Sequence, residues 1–140
     1  MALSDFTLLV KILELDVETH KIVKQFDKSE RHVFAADIRH TIADIEHLVI
    51  RATKEQLAER QRHIVPEGTR ALLHDVDVEL EYLKLQQRKA FSLRLINEKC
   101  YERWSARVLE IGRILGAWIK QNDTALAKTK RAVFSQNKLI

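Results

Sequence analysis

One proline and three glycines are all the chain-breaking residues in 140 positions. Sandwiches, barrels and α/β folds need far more turn material, so long helices are what remains. The breaks are few. "FDKSER" (26–31) and "VPEGT" (65–69) interrupt the chain, and Asn97 marks a further start. Helix one is expected from Ser4 or Asp5 to about Gln25. Helix two follows from Ser29 to about Thr53, fraying through "KEQLAERQR". Asp27 and Glu30 stand at capping-box spacing there, with Ser29 as the alternative cap. Thr69 is the expected cap of helix three, which runs to about Leu95, and Asn97 that of helix four. Four helices of roughly 25 residues with short links predict an all-α, antiparallel up-down four-helix bundle over residues 1–122. Residues 123–140 then form a basic tail or a frayed helix extension.

Helix four carries the plainest bundle seam. Tyr101, Trp104, Val108, Ile111, Leu115 and Trp118 recur at 3-4-3-4-3 spacing, the a/d pattern of left-handed packing. Beside it Ser105, Leu109, Gly112 and Gly116 make a narrow ridge of mostly small residues within "EIGRILGAWIK". Each glycine costs about 1 kcal/mol relative to alanine in a helix interior. Close packing must offset that cost, either inside the bundle or at a groove between subunits. A membrane-type glycine dimer does not fit, because Glu110, Arg113 and Lys120 surround the pair.

Two helices are apolar on two sides. Helix three has Leu72, Val76, Leu80, Leu83 and Ala90 on one face, extended by Gln87 and Arg94; Ala71, Val78, Tyr82, Leu85 and Leu93 lie well round from them. Helix one sets Leu8, Ile12, Leu15, Ile22 and Phe26 against Phe6, Val10, Leu13 and Val17. A helix in a monomeric bundle needs one apolar face. Self-association is therefore expected, with Gly112, Gly116, Trp118, Tyr82 and Leu85 as the packing and oligomer residues; a broad intramolecular core is the alternative.

Charge is unevenly spread. Residues 1–96 hold 15 Lys/Arg against 16 Asp/Glu, whereas residues 97–140 hold 9 against 4. An anionic partner fits that basic end. Helix three is itself polarised, with Asp75, Asp77, Glu79 and Glu81 followed by Lys84, Arg88, Lys89 and Arg94. This complements the helix dipole. It also leaves Lys84 and Arg88 one turn apart, in mild repulsion unless acids or a partner neutralise them. Arg103, Arg107, Arg113 and Lys120 on helix four, then Lys128, Lys130 and Arg131, form the densest basic region, suited to sequence-independent contact with RNA or DNA phosphates.

Enzymatic chemistry finds little footing. Asp37 with His40 and Asp44 with His47 look like half of a di-metal bundle site. They lie nearly opposite the apolar face of helix two (Phe34, Ile38, Ile42, Ile45, Leu48, Val49), so the ligands turn to water and no metal is expected. The neighbouring stripe of His32, Arg39, His40, His47, Arg51 and Lys54 reads as a solvated face, with phosphate contact as its functional alternative. The lone Cys100 excludes an internal disulfide and fits a reducing, cytoplasmic setting. No apolar run reaches the roughly 18 residues of a membrane span, and the acidic "MALSDFTLLVK" start predicts no export signal. No catalytic set or cofactor-binding motif stands out, so no enzyme and no cofactor are expected.

"EIGRILGAWIK" resembles the closing-helix motif of the accessory variability determinant (Avd) family of diversity-generating retroelements. That family lies within a wider group of four-helix-bundle proteins, some encoded in ribosomal-RNA intervening sequences. "FDKSERHVFAADIRHTIADIEHLVIRA" is similar to the family's second helix, with Asp27 where a proline is often found. "LEYLKLQQRKAFSLRLINEKCYERW" resembles its third helix and the turn into the fourth. The resemblance implies a non-enzymatic homopentamer that binds the element's reverse transcriptase and template RNA and so supports mutagenic retrohoming. It places Lys84 and Arg88 at the family's basic pair, where the polymerase is expected, and Arg113 within a Gly-Arg motif. The intervening-sequence branch implies instead a bundle oligomer without a polymerase partner.

Overall fold

The computed structural model describes the backbone of residues 3–138 and the side chains of residues 7–135. Four long helices make up most of it: α1 (Leu3–Val23), α2 (Ala36–Arg62), α3 (Glu67–Ser92) and α4 (Glu98–Lys138). A single turn, Lys28–Glu30, and a π-helical segment, Arg31–Ala35, lead into α2. No strand occurs among the described residues. α1 packs on α2 and α4, and α3 packs on the same two. The chain thus runs round a square, as short links between antiparallel helices require.

The inner faces are those the periodicity marks. Leu8, Ile12, Leu15, Ile22 and Phe26 are buried from the α1 segment, with Ile38, Ile42, Ile45 and Val49 from α2. α3 adds Leu73, Val76, Leu80 and Leu83; α4 adds Trp104, Val108, Ile111, Leu115 and Trp118. Trp104 is fully buried, so its indole N–H needs an acceptor. It donates to Thr19 Oγ1 on α1 at 2.8 Å, while Gln87 Nε2 on α3 donates to the Trp104 carbonyl at 3.3 Å. The residue therefore ties three helices at one level. At the α1–α2 turn, Phe26 stacks on Phe34 with centroids 5.9 Å apart. Arg31 Nε closes that turn by donating to the Phe26 carbonyl at 2.8 Å.

Helix ends depart from expectation in instructive ways. Asn97 caps α4 as predicted, its Oδ1 accepting the Cys100 amide at 2.8 Å. Asp27 stands at the cap position of the second helical segment but makes no side-chain cap bond, so the expected capping box is not formed. α3 begins at Glu67, two residues before Thr69, and its cap comes from another helix. The Glu59 carboxylate, buried at the end of α2, accepts the amides of Gly68 and Thr69 at 3.0 and 3.1 Å, together with the Thr69 hydroxyl. An anion at exposed helix-start donors is favourable on both hydrogen-bond and dipole grounds. That contact explains why "KEQLAERQR" is helical to Arg62 rather than frayed: Glu59 sits two helical turns past Ala52 on the stripe of Ile45, Val49 and Ala52.

Neither α2 nor α3 ends on glycine. His63 (φ 54°) and Arg94 (φ 59°) take the left-handed conformation instead. Ile64 N–H then donates to the Glu59 carbonyl and Leu95 N–H to the Ala90 carbonyl, at 3.1 and 3.0 Å, which satisfies carbonyls that the helix ends leave free. α4 is about 62 Å long at 1.5 Å per residue, twice the length of α1. It continues as helix through residues 123–138. Residues 139 and 140, and the side chains of the expected first caps Ser4 and Asp5 and of Phe6, lie outside the described residues.

One α1–α2 contact is electrostatically unfavourable. The half-buried Glu46 carboxyl has its pKa pushed up from 4.5 to about 7, first by burial and then by the Asp16 carboxylate on α1. Its charged form is thus disfavoured in the folded state. Its contribution to stability is greatest below about pH 4.5 and is lost as pH rises through about 7. Glu46→Gln should raise the melting midpoint at pH 8 and have little effect at pH 5; an equal shift at both would contradict the assignment. Glu59→Ala should destabilise the chain by about 2–3 kcal/mol in chemical denaturation, since it strands two α3 amides and a buried hydroxyl.

Candidate partner and nucleic-acid interface

The cations expected to meet a partner fall on three separate faces. Lys84 and Arg88 occupy the flank of α3 that turns toward α4, beside the stacked Phe91–Tyr101 pair (centroids 4.9 Å apart). Lys84 Nζ lies 2.8 Å from Glu81 on its own helix. The Arg88 guanidinium is 5.9 Å from the Phe91 ring centroid and pairs with no carboxylate among the described residues. Lys89 Nζ lies 4.8 Å over the Phe34 ring, and the exposed Arg94 follows at the left-handed C-terminus of α3.

Arg103 and Arg107 face the opposite way, into the α1–α4 groove. Arg107 Nε donates to Glu18 Oε2 at 2.7 Å and its Nη1 lies 3.4 Å from Glu14 Oε2; Arg103 Nε is 3.7 Å from Glu18 Oε1. Lys11 reaches Glu110 at 3.2 Å on the same seam. These arginines are already matched by acids of this chain, so their positive charge is largely spent on holding α1 to α4. Lys130 is similarly engaged, 3.5 Å from Glu67.

The third face is the outer side of α4. Arg113, Lys120 and Arg131 lie along it at spacings of 7 and 11 residues, and none pairs with an acid among the described residues. Between them the exposed Gly116 leaves a shallow depression of about 530 Å³, lined also by Ile119, Lys120, Asp123, Thr124, Ala127, Lys128 and Arg131, with Asp123 turned to Arg70 at 3.8 Å. Small residues flanked by unpaired cations let a phosphate chain or a partner helix come close to the backbone.

Gly112 and Gly116 do not serve intramolecular packing. A methyl group at either would meet no atom within 4 Å, so of the two readings the bundle-internal one is excluded. Trp118 is a core residue at 3% exposure, and its indole N–H has no partner among the described residues. Tyr82 and Leu85 belong to an uncovered surface. So do Val78 and Leu93 on α3, and Val10, Leu13 and Val17 on α1. The broad-core alternative is thereby excluded as well: both second faces are exposed in the single chain.

The half-site resemblance on α2 dissolves in three dimensions. Asp37 Oδ2 accepts both the Tyr82 hydroxyl and Gln86 Nε2 at 3.0 Å, clasping α2 to α3 and pushing the Tyr82 phenol upward. His40 is exposed, 3.7 Å from Asp44, and His32, Arg39, His47, Arg51 and Lys54 are exposed too. No group of three potential metal ligands gathers among the described residues. Burial pushes the Cys100 thiol up from 9.0, the reverse of what a nucleophile needs. Reading helix one for its apolar faces missed the lysines around the α1–α4 groove. That groove, about 930 Å³, brings Lys21 and Lys99 together with Arg103 above Leu13, Val17 and Ile22. Its members come from two segments more than 70 residues apart in the chain, and spacing within one segment could not have grouped them.

A sequence model of the family described as bAvd-like matches residues 7–122, which takes in most of α1, all of α2 and α3 and the first 25 residues of α4. The chain belongs to the bAvd-like family. No curated protein and no solved structure matches it. The bAvd-like assignment agrees with the resemblance read from helix four and makes an Avd-type accessory protein the functional class; such proteins are generally non-catalytic. No helix among the described residues is long and apolar enough to cross a membrane.

Because the glycines meet nothing within the chain, Gly112→Ala and Gly116→Ala should each stabilise it by about 1 kcal/mol toward denaturant when measured at dilution. Gly116→Leu, by contrast, should weaken whatever assembly or partner contact uses the depression. A destabilising alanine would show that the ridge is packed inside the bundle after all.

Proposed function

We propose that this bAvd-like protein is the non-enzymatic accessory subunit of a diversity-generating retroelement, a homopentamer that binds the element's reverse transcriptase and template RNA during mutagenic retrohoming. The observation that carries the reading is the family match over residues 7–122. Two features of the surface support it. Apolar side chains on α1, and the open glycine ridge of α4, are what an assembling subunit leaves uncovered. Arg88, Arg94, Arg113, Lys120, Lys128 and Arg131 are exposed without an acidic partner among the described residues, which suits binding to phosphates or to an acidic protein surface.

The roles divide by face. Lys84 and Arg88, with Arg94 behind them, contact the polymerase from α3. Arg113, Lys120, Lys128 and Arg131 on α4 bind RNA or DNA through its backbone, with no sequence preference. Arg103, Arg107 and Lys130 contribute little to either, being neutralised within the chain. The protein supplies position and charge; the polymerase supplies the chemistry.

Co-purification with the reverse transcriptase of the same retroelement tests the reading. The wild type should capture the polymerase, and Lys84→Glu with Arg88→Glu should cut capture by about tenfold or more, as reversal of two interfacial charges does. Undiminished capture by the reversed variant would overturn the α3 site, and no capture by the wild type would favour the intervening-sequence type of bundle protein. Nucleic-acid affinity should fall by about tenfold or more between 50 and 200 mM salt.

A further inference from the structure

α3 carries a charge pattern on its outer side that the proposed polymerase contact through Lys84 and Arg88 does not use. Asp75, Val78, Tyr82, Leu85 and Lys89 follow one another at spacings of three and four residues, so they share one stripe. All five are exposed; Val78 and Leu85 are 64% and 63% accessible and Tyr82 43%. α2 and α4 flank this helix; on the α2 side the Tyr82 hydroxyl donates to Asp37 and the Lys89 ammonium lies over the Phe34 ring, and the outward surface of the stripe stays open to solvent. Lys84 and Arg88 point to its α4 side, away from it.

About Tyr82 the stripe is near-symmetric in its apolar positions and opposite in charge at its ends. Around Tyr82, Asp75 and Lys89 stand seven residues away on either side, and Val78 and Leu85 stand four and three away. The charges at its two ends are opposite. Within one helix they are about 21 Å apart along the axis and cannot meet. Two copies of α3 laid antiparallel across Tyr82 bring each Asp75 to Lys89 of the partner subunit, each Val78 beside Leu85 of the partner subunit, and the two Tyr82 rings together at the centre. A parallel pairing would oppose Asp75 to its own copy and Lys89 to its own. From this self-complementarity we infer that the outer stripe of α3 is a two-fold interface with a second copy of this chain.

The inference goes beyond the proposed ring and does not rest on it. A five-fold ring repeats a contact between two different patches, whereas this contact pairs one patch with itself. It joins chains, or rings, in twos.

Sedimentation analysis of Asp75→Lys and Lys89→Asp tests it. Both positions are exposed, and unchanged circular dichroism would confirm intact folding. Each single variant replaces two opposite-charge pairs with two like-charge pairs, so its pairing constant should weaken by about tenfold, and at a concentration between the two constants its mean particle mass should fall toward half that of the wild type. An equimolar mixture should regain the paired mass, because every contact in the mixed pair is again between opposite charges. The double variant D75K/K89D should regain it alone. Single variants that pair like the wild type, a mixture that stays unpaired, or a wild type that shows no two-fold step would each overturn the interface.

Discussion

The hydrogen bond from the buried Trp104 indole to Thr19 sets the frame for everything else. A fully buried N–H without an acceptor costs about 1–3 kcal/mol. α1 must therefore present Thr19, and no other residue of its inner face, at the level of Trp104. Once that level is set, Glu18 and Glu14 fall opposite Arg103 and Arg107, and Lys11 falls opposite Glu110. Gln87 locks α3 to the same point through the Trp104 carbonyl.

That register decides which surface charge is available for partners. Arginines that look, in one dimension, like part of a continuous basic region are consumed by α1. The positive surface that remains lies on the far flank of α3 and the outer side of α4, separated by the glycine ridge. A carboxylate in the right place changes an arginine from a binding residue into a structural one, and only the fold says where the carboxylates are. Glu59 shows the same logic at the other end of the molecule: an acid placed on the core stripe of α2 becomes the cap of α3.

Much of the fold is legible without coordinates. The seam from Tyr101 to Trp118 repeats at a/d spacing over five turns, long enough for no other face of α4 to compete for the interior. The paired apolar stripes of α1 and α3 are visible for the same reason, and the inner member of each pair is the one that is buried. Helix ends were less readable. Thr69 is a good cap by local rules, but the Glu59 carboxylate, ten residues earlier, supplies a charged acceptor where threonine would supply a neutral one. His63 and Arg94 take left-handed conformations that composition alone would have reserved for glycine.

The sequence by itself determined the helical architecture, the family and the surplus of apolar faces, because all three are written in local periodicity or in contiguous motifs such as "EIGRILGAWIK". Only the tertiary structure decided what the glycines and cations are free to do. Whether Gly112 meets a neighbour, whether Arg107 has an acid beside it and whether Asp37 is a ligand or a clasp for Tyr82 all depend on residues far away in the chain, brought near by packing that no spacing rule contains.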